Sequence, residues 1–204
     1  MWTGAILAGG RARRLGGLNK AGLTLRPGRA SILDRQLARL RRVVDRTIII
    51  ANDVERFSTA GVPVIADLVP GAGALGGLYT AVQTAGADWT LVVACDMPFL
   101  SEPLLAYLVS AGMAADITIP RTSRGYEPLC AAYSPRAAVE LRRLIDEQRF
   151  RLSDVVRMPG MNVREIGRDE IEAFGPEEVL FFNLNTPSDY ARAIDIDGEY
   201  HYPS

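Results

Sequence analysis

A chain with 23 basic residues keeps one lysine, Lys20, among 22 arginines. Lys20 closes a glycine-rich run, Gly9-Gly10-Arg11-Ala12-Arg13-Arg14-Leu15-Gly16-Gly17-Leu18-Asn19-Lys20. Glycines let backbone N–H groups approach an anion closely, and Arg11, Arg13, Arg14 and Lys20 add positive charge. The chemistry these types suit is polyphosphate binding. A compact ammonium on a flexible stem reaches phosphate oxygens where a rigid guanidinium fork does not fit. The run is not a Walker A loop, because Asn19 precedes the lysine and Ala21 follows it. It also breaks the Gly-x-Gly spacing of the dinucleotide fingerprint. The bland alternative is a solvated basic turn, with the single lysine an accident of composition.

A second set of polar residues terminates apolar runs. Asp96 follows Thr90-Leu91-Val92-Val93-Ala94-Cys95, Asn52 follows Thr47-Ile48-Ile49-Ile50-Ala51, and Asp67 follows Val62-Pro63-Val64-Ile65-Ala66. A carboxylate at the end of a buried strand is costly without a partner. For Asp96 a hard cation is a natural one, since Mg²⁺ is held by one or two carboxylates plus phosphate oxygens and water. A helix cap or an arginine partner would satisfy it equally, and Asp67 carries the same ambiguity. The only histidine, His201, is the fourth residue from the end, and Cys95 and Cys130 have no metal-ligand spacing. Both cysteines read as buried free thiols. Chemistry that needs a histidine base is therefore disfavoured; transfer of a nucleotidyl group to an acceptor that is already an anion needs none.

These residues meet only if the elements before them lie side by side. Ala5-Ile6-Leu7-Ala8 reads as a buried strand leading into the glycine-rich run, and the runs before Asn52, Asp67 and Asp96 as three more, with Pro63 favouring an edge or strand start. Ser31 with Asp34 starts a helix carried by Leu33, Leu37, Leu40 and Val44, and Leu78 to Ala85 reads as another. Strands apolar on both faces and separated by helices imply a parallel sheet covered on both sides. In such a sheet ligands bind beyond the carboxyl ends of the strands, where all these polar residues fall. Asp116-Ile117-Thr118-Ile119 and Leu129-Cys130-Ala131-Ala132-Tyr133 are expected strands, with a helix from Pro135 to Gln148. Val179-Leu180-Phe181-Phe182 is expected to be a late strand, before a helix capped by Thr186 with Pro187 first.

The fold class expected is α/β, a three-layer sandwich around a mostly parallel, Rossmann-like sheet with a mixed C-terminal part. At 204 residues one domain is expected, with a nucleotide-binding half of about 1–100 and an acceptor-side half of about 101–195. A net charge of −1 gives no global case for nucleic acid or an anionic membrane. No apolar run approaches the roughly 20 residues of a membrane span, and the N-terminus lacks a basic leader segment. A cytoplasmic protein is the expectation.

The order of motifs is more specific than any one of them. Leu7-Ala8-Gly9-Gly10 through Arg14, then Gly16 and Lys20, resembles the signature loop of nucleotidyltransferases with the mononucleotide-binding α/β fold. Pro70-Gly71-Ala72-Gly73-Ala74-Leu75-Gly76-Gly77-Leu78, Cys95-Asp96-Met97-Pro98, Glu127-Pro128-Leu129 and Asn183-Leu184-Asn185-Thr186-Pro187 narrow the resemblance to the molybdenum-cofactor guanylyltransferases, over about residues 4–194. The resemblance implies transfer of GMP from GTP to the terminal phosphate of molybdopterin or Mo-molybdopterin, with Mg²⁺ as cofactor. It implies that Leu7, Ala8, Gly9, Gly10 and Arg14 contact the nucleotide, with Lys20 on its phosphates. Asn52 and Asp67 would complete that site, Asp96 would hold the metal, and Lys20 and Asp96 would serve catalysis. The Asn183–Pro187 segment would lie toward the pterin. Transient contact with proteins that supply molybdopterin or receive the product is also implied. Gly9 favours guanine, since similar cytidylyltransferases tend to have alanine there. Asn19 departs from the aspartate usual before the lysine, which bears on how Lys20 is oriented, and Ala74 from a common proline. The competing readings are a cytidylyltransferase, or other nucleotidyltransferase with a phosphorylated acceptor, and a nucleotide-binding regulator without catalysis.

Overall fold

In the computed structural model the described residues are 1–8 and 22–200. One sheet organises them. Strands β1 (Trp2–Leu7), β2 (Arg46–Ile50), β3 (Val64–Ile65) and β4 (Trp89–Ala94) pair in parallel, in the order β3-β2-β1-β4. Their register is the main geometric fact. Leu7 is level with both Ile50 and Ala94, and Ile50 with Ile65. The four strands thus end in one row, and Asn52, Asp67 and Asp96 each stand two residues beyond it. The edge position read from Pro63 is the one β3 takes.

Beyond β4 the sheet turns mixed. β7 (Cys130–Tyr133) runs antiparallel to β4, and β5 (Ile117–Thr122) antiparallel to β7. β6 (Gly125–Tyr126) makes a hairpin with β5, and β8 (Val163–Ile166) pairs parallel to it. Successive strand residues face opposite layers. Ile6, Ile49, Leu91 and Val93 pack on one side under α1 (Ile32–Val43) and α3 (Glu102–Gly112). Ala5, Ile48, Ile50 and Val92 pack on the other under α2 (Gly73–Ala85) and α4 (Ala137–Asp146). The result is the expected three-layer α/β sandwich. Further on come α5 (Arg168–Glu172), α6 (Glu177–Leu180) and α7 (Pro187–Tyr200). Among the described residues no helix is long and apolar enough to cross a membrane.

Local chemistry explains the helix starts. Ser31 accepts from Asp34 N at 3.1 Å while the Asp34 carboxylate accepts from Ser31 N, a complete capping box. Thr186 caps α7 in the same way through Asp189. Helix α2 begins five residues before the expected Leu78, through Gly73, Gly76 and Gly77. Glycine is a poor helix former, but here Gly77 passes β1, and Gly76 the segment before the helix, too closely for a side chain. A Cβ on Gly77 would lie 3.1 Å from Leu7 Cδ2, and one on Gly76 would lie 3.1 Å from Val69 O.

One expected element is corrected. Val179–Phe182 is not a strand; the chain makes the short helix α6 there, with Leu180 N bonded to Pro176 O and Phe181 N to Glu177 O, both at 3.0 Å. A four-residue apolar run has no period of its own, and Pro176 with two glutamates in the first turn tips it to helix.

Candidate active site at the carboxyl rim

The chain runs β1, β2, β3 away in one direction and then returns to place β4 on the other side of β1. The crevice at this switch point opens beyond Leu7 and Ala94, where ligands bind in open α/β sheets. Ladder bonds continue past the strand ends: Ala8 N to Ile50 O at 2.9 Å and Cys95 N to Leu7 O at 3.1 Å. Leu7, Ala8 and Asp96 are therefore neighbours on the rim. Gly9, Gly10, Arg14 and Lys20 lie outside the described residues.

Asn52 and Asp67 meet as a reciprocal pair. Asn52 Nδ2 donates to Asp67 Oδ2 at 2.9 Å, and Asp67 N donates to Asn52 Oδ1 at 3.0 Å. The pair ties the ends of β2 and β3 together and fixes both side chains over the rim. Gly77 of α2 lies beneath: a Cβ there would reach 3.7 Å from Asp67 Oδ1. Thr80 of the same helix accepts from Leu68 N at 2.9 Å, holding the residue after Asp67.

Asp96 is half-buried, and its backbone is held from two sides. Gln36, buried in α1, donates from Nε2 to Ala94 O at 2.8 Å and Met97 O at 3.0 Å. Leu184 N donates to Asp96 O at 2.9 Å. The late Asn183–Pro187 segment is thus docked on the Asp96 turn. Sequence reasoning missed Gln36, which sits mid-helix with nothing nearby in sequence to mark it.

From Asp96 a cleft of about 310 Å³ extends toward the mixed part of the sheet, lined also by Tyr126, Glu127, Leu129, Leu152 and Asn183. Three of the sequence motifs, around Asp96, Glu127 and Asn183, therefore share one opening. Glu127 is set by backbone bonds, its N–H to Pro120 O at 3.0 Å and its carbonyl from Cys130 N at 2.9 Å. Burial pushes its carboxyl above the ordinary range, while Arg124 beside it draws it back. Cys130 is buried beneath this wall and Cys95 half-buried, both as free thiols; burial pushes the Cys130 thiol up, which makes it inert at neutral pH.

The described part of the rim offers no closed metal cage. Among the described residues no group of three or more His, Cys, Asp or Glu side chains converges. A single carboxylate ligand would suffice for Mg²⁺, which keeps water and substrate oxygens in most of its positions, and Asp96 on its pinned turn is of that type.

Comparison with known proteins agrees with this geometry. The family model described as the MobA-like NTP transferase domain matches residues 4–160. A molybdenum cofactor guanylyltransferase from Mesorhizobium japonicum is 36% identical over 200 residues, covering 94% of this chain and 93% of its own. One from Desulfosudis oleivorans is 32% identical over 193 residues, covering 94% and 93%. The crystal structure of molybdopterin-guanine dinucleotide biosynthesis protein A from Archaeoglobus fulgidus is 30% identical, with a TM-score of 0.82 over 97% of this chain and 99% of that one. With its sheet order, its rim of strand-end polar residues and these relatives over nearly its whole length, the chain belongs to the MobA-like NTP transferase family.

Proposed function

We propose that the protein transfers GMP from GTP to the terminal phosphate of molybdopterin, or of its molybdenum-bearing form, releasing pyrophosphate. The observation that carries this reading is the cleft, which joins Asp96 on the nucleotide side of the rim to Glu127 and Asn183 on the other. A transferase of this kind must seat two ligands end to end, with reacting phosphates at the junction. Relatives named for the same reaction, alignable over almost the entire chain, support the same choice of substrates.

The bond that forms joins an acceptor phosphate oxygen to the α-phosphorus of GTP; the bond that breaks leads to the β-phosphate, and its electrons leave with pyrophosphate. No side chain need remove a proton, because the acceptor oxygen is already anionic. What the chain supplies is position and charge. Asn52 and Asp67, locked to each other, and the backbone at Leu7, Ala8, Gly9 and Gly10 would hold the nucleoside, with Arg14 and Lys20 on the phosphates. Asp96 would hold Mg²⁺, which when bound neutralises phosphate charge. Gln36 and the docked Leu184 keep the Asp96 turn from shifting as that charge moves. In this reading the 204 residues act as one unit, nucleotide side about 1–100 and acceptor side about 101–195, in the cytoplasm and in brief contact with proteins that supply molybdopterin or take the product.

The test is a panel of the four ribonucleoside triphosphates with molybdopterin and Mg²⁺, scored by the dinucleotide formed and pyrophosphate released. GTP is expected to exceed the other three by at least about tenfold in kcat/KM, the discrimination expected when hydrogen-bonding groups read the base. Equal use of CTP, or no dinucleotide from any nucleotide, overturns the reading.

A further inference from the structure

Glu127 is a carboxylate in the wall of the cleft whose side chain is only 13% exposed, yet its hydrogen bonding is incomplete. Both contacts it makes fall on one oxygen. Thr122 Oγ1 lies 3.2 Å from Oε1 and Arg124 Nη2 lies 3.5 Å from it. Neither is a full partner. Thr122 has a single hydroxyl proton, and Gly125 O competes for it at the shorter distance of 3.0 Å. Arg124 Nη2 directs one of its two protons to Phe181 O and reaches Oε1 only at 3.5 Å, a long ion pair at the outer limit of a hydrogen bond. Oε2 has no partner among the described residues and is not sealed from solvent. That oxygen therefore faces the cleft with its acceptor sites open, held by water in the free protein and available to a donor on a bound ligand.

The chemistry of that ligand is restricted. A carboxylate accepts hydrogen bonds and repels phosphate unless a cation intervenes; in the proposed reaction that cation would sit at Asp96, so the phosphates lie at that end of the cleft and an uncharged, donor-bearing group faces Glu127. The neighbours Tyr126, Leu129 and Leu152 supply apolar and aromatic surface suited to a flat ring. Resting on the proposed reaction, we propose that Glu127 is the residue that selects the acceptor. Its Oε2 accepts from the N–H donors on the 2-amino-4-oxo edge of the pterin ring, which lies in the cleft with its phosphate directed to Asp96. No bond is made or broken by this contact; it fixes which ring can present its phosphate at the junction.

The experiment compares wild type with Glu127→Gln, which keeps the shape and removes the charge. With GTP saturating, the KM for molybdopterin is expected to rise by about tenfold or more, the loss of a hydrogen bond to an ionised acceptor, while the KM for GTP stays within about twofold. Direct binding is read separately by fluorescence titration with 6-hydroxymethylpterin and with 6-hydroxymethyllumazine, in which a carbonyl replaces the 2-amino donor. Wild type is expected to prefer the pterin by about tenfold, and Glu127→Gln to lose most of that preference. The wild-type preference needs no variant, so a misfolded Glu127→Gln does not remove the test. Equal binding of pterin and lumazine by wild type, or an unchanged molybdopterin KM in a folded Glu127→Gln, overturns the assignment. So does a Glu127→Gln defect relieved by raising Mg²⁺, which would make Glu127 a metal ligand. A wild type that forms no dinucleotide but binds the pterin through Glu127 overturns the transferase reading alone.

Discussion

Asp96 shows what a single residue needs in order to be usable. Its carboxylate stands beyond β4, but its placement depends on Gln36 from α1 and Leu184 from the C-terminal segment, 60 residues before it and 88 after it in sequence. If it holds the phosphate-borne metal, Asp96→Ala removes charge stabilisation that matters most in the transition state. The variant is expected to lose about a hundredfold or more in kcat/KM while its thermal unfolding stays near that of wild type. Wild-type turnover at ordinary Mg²⁺ would show that Asp96 serves only as a turn residue. Asp96, Asn52 and Asp67 were legible in the sequence because each ends an apolar run, and parallel register then forces them to one rim. Glu127 was legible only as part of a family pattern. That Thr122 and Arg124 both fall on its Oε1 and leave Oε2 facing the cleft appears only once β5 and β6 fold into a hairpin and the chain near α6 docks beside it.

At the scale of elements, the first half follows from its pattern and the second half less so. Buried parallel strands announce themselves by continuous apolar runs, and α1 by a capping box with regular leucines. The run Val179–Phe182 misleads because its burial comes from packing on two different neighbours: Leu180 and Phe181 enter the core under α1 and α3, Val179 and Phe182 the cluster beside α7. In the mixed half, long-range polar ties with no sequence periodicity add to the apolar packing. Asp116, just before β5, accepts from Asn162 N at 3.0 Å, Ser134 Oγ at 3.0 Å and Arg136 Nη1 at 3.1 Å, knitting the starts of β5, β8 and α4. The Asn162 N–H bond, with help from Ser134 and Arg136 against the cost of burial, holds its carboxyl below the usual range. A depressed folded value means stability that is present above the unfolded value near pH 4 and is lost as pH falls through the lower folded one. Asp116→Asn is therefore expected to be less stable than wild type at pH 6, with the gap closing below about pH 4. Urea midpoints across that range check it. A gap that stays constant into acid would mean that shape, not charge, holds this junction.

The whole molecule is closed by its C-terminal helix. α7 returns to the start of the chain, where Ala193 and Ile196 join Leu25, Ile32, Phe99 and Phe182 in a third apolar cluster. Tyr190 donates to Thr24 O at 2.6 Å, so the helix grips the first described stretch after the glycine-rich run. A further tie is ionic. Asp197, 8% exposed, bonds Arg35 of α1 at 2.6 Å through one oxygen and Arg26 at 2.9 Å through the other. The two arginines differ in what they can do if the carboxylate is removed. Arg26 is 39% exposed and can turn to water; Arg35, 8% exposed with its Nε already unpartnered, cannot. Breaking a buried pair by deleting one partner typically costs about 3–5 kcal/mol, because the remaining charge is stranded. Asp197→Ala should fall near the lower end of that range, since only one of the two cations stays buried. Replacing both buried members by apolar residues strands nothing: Arg35→Met with Asp197→Leu is expected to lie within about 1 kcal/mol of wild type. Urea unfolding of the three proteins measures both numbers. A single variant as stable as the double would mean that α7 is held by its apolar face and that the buried charges add little to closing the fold.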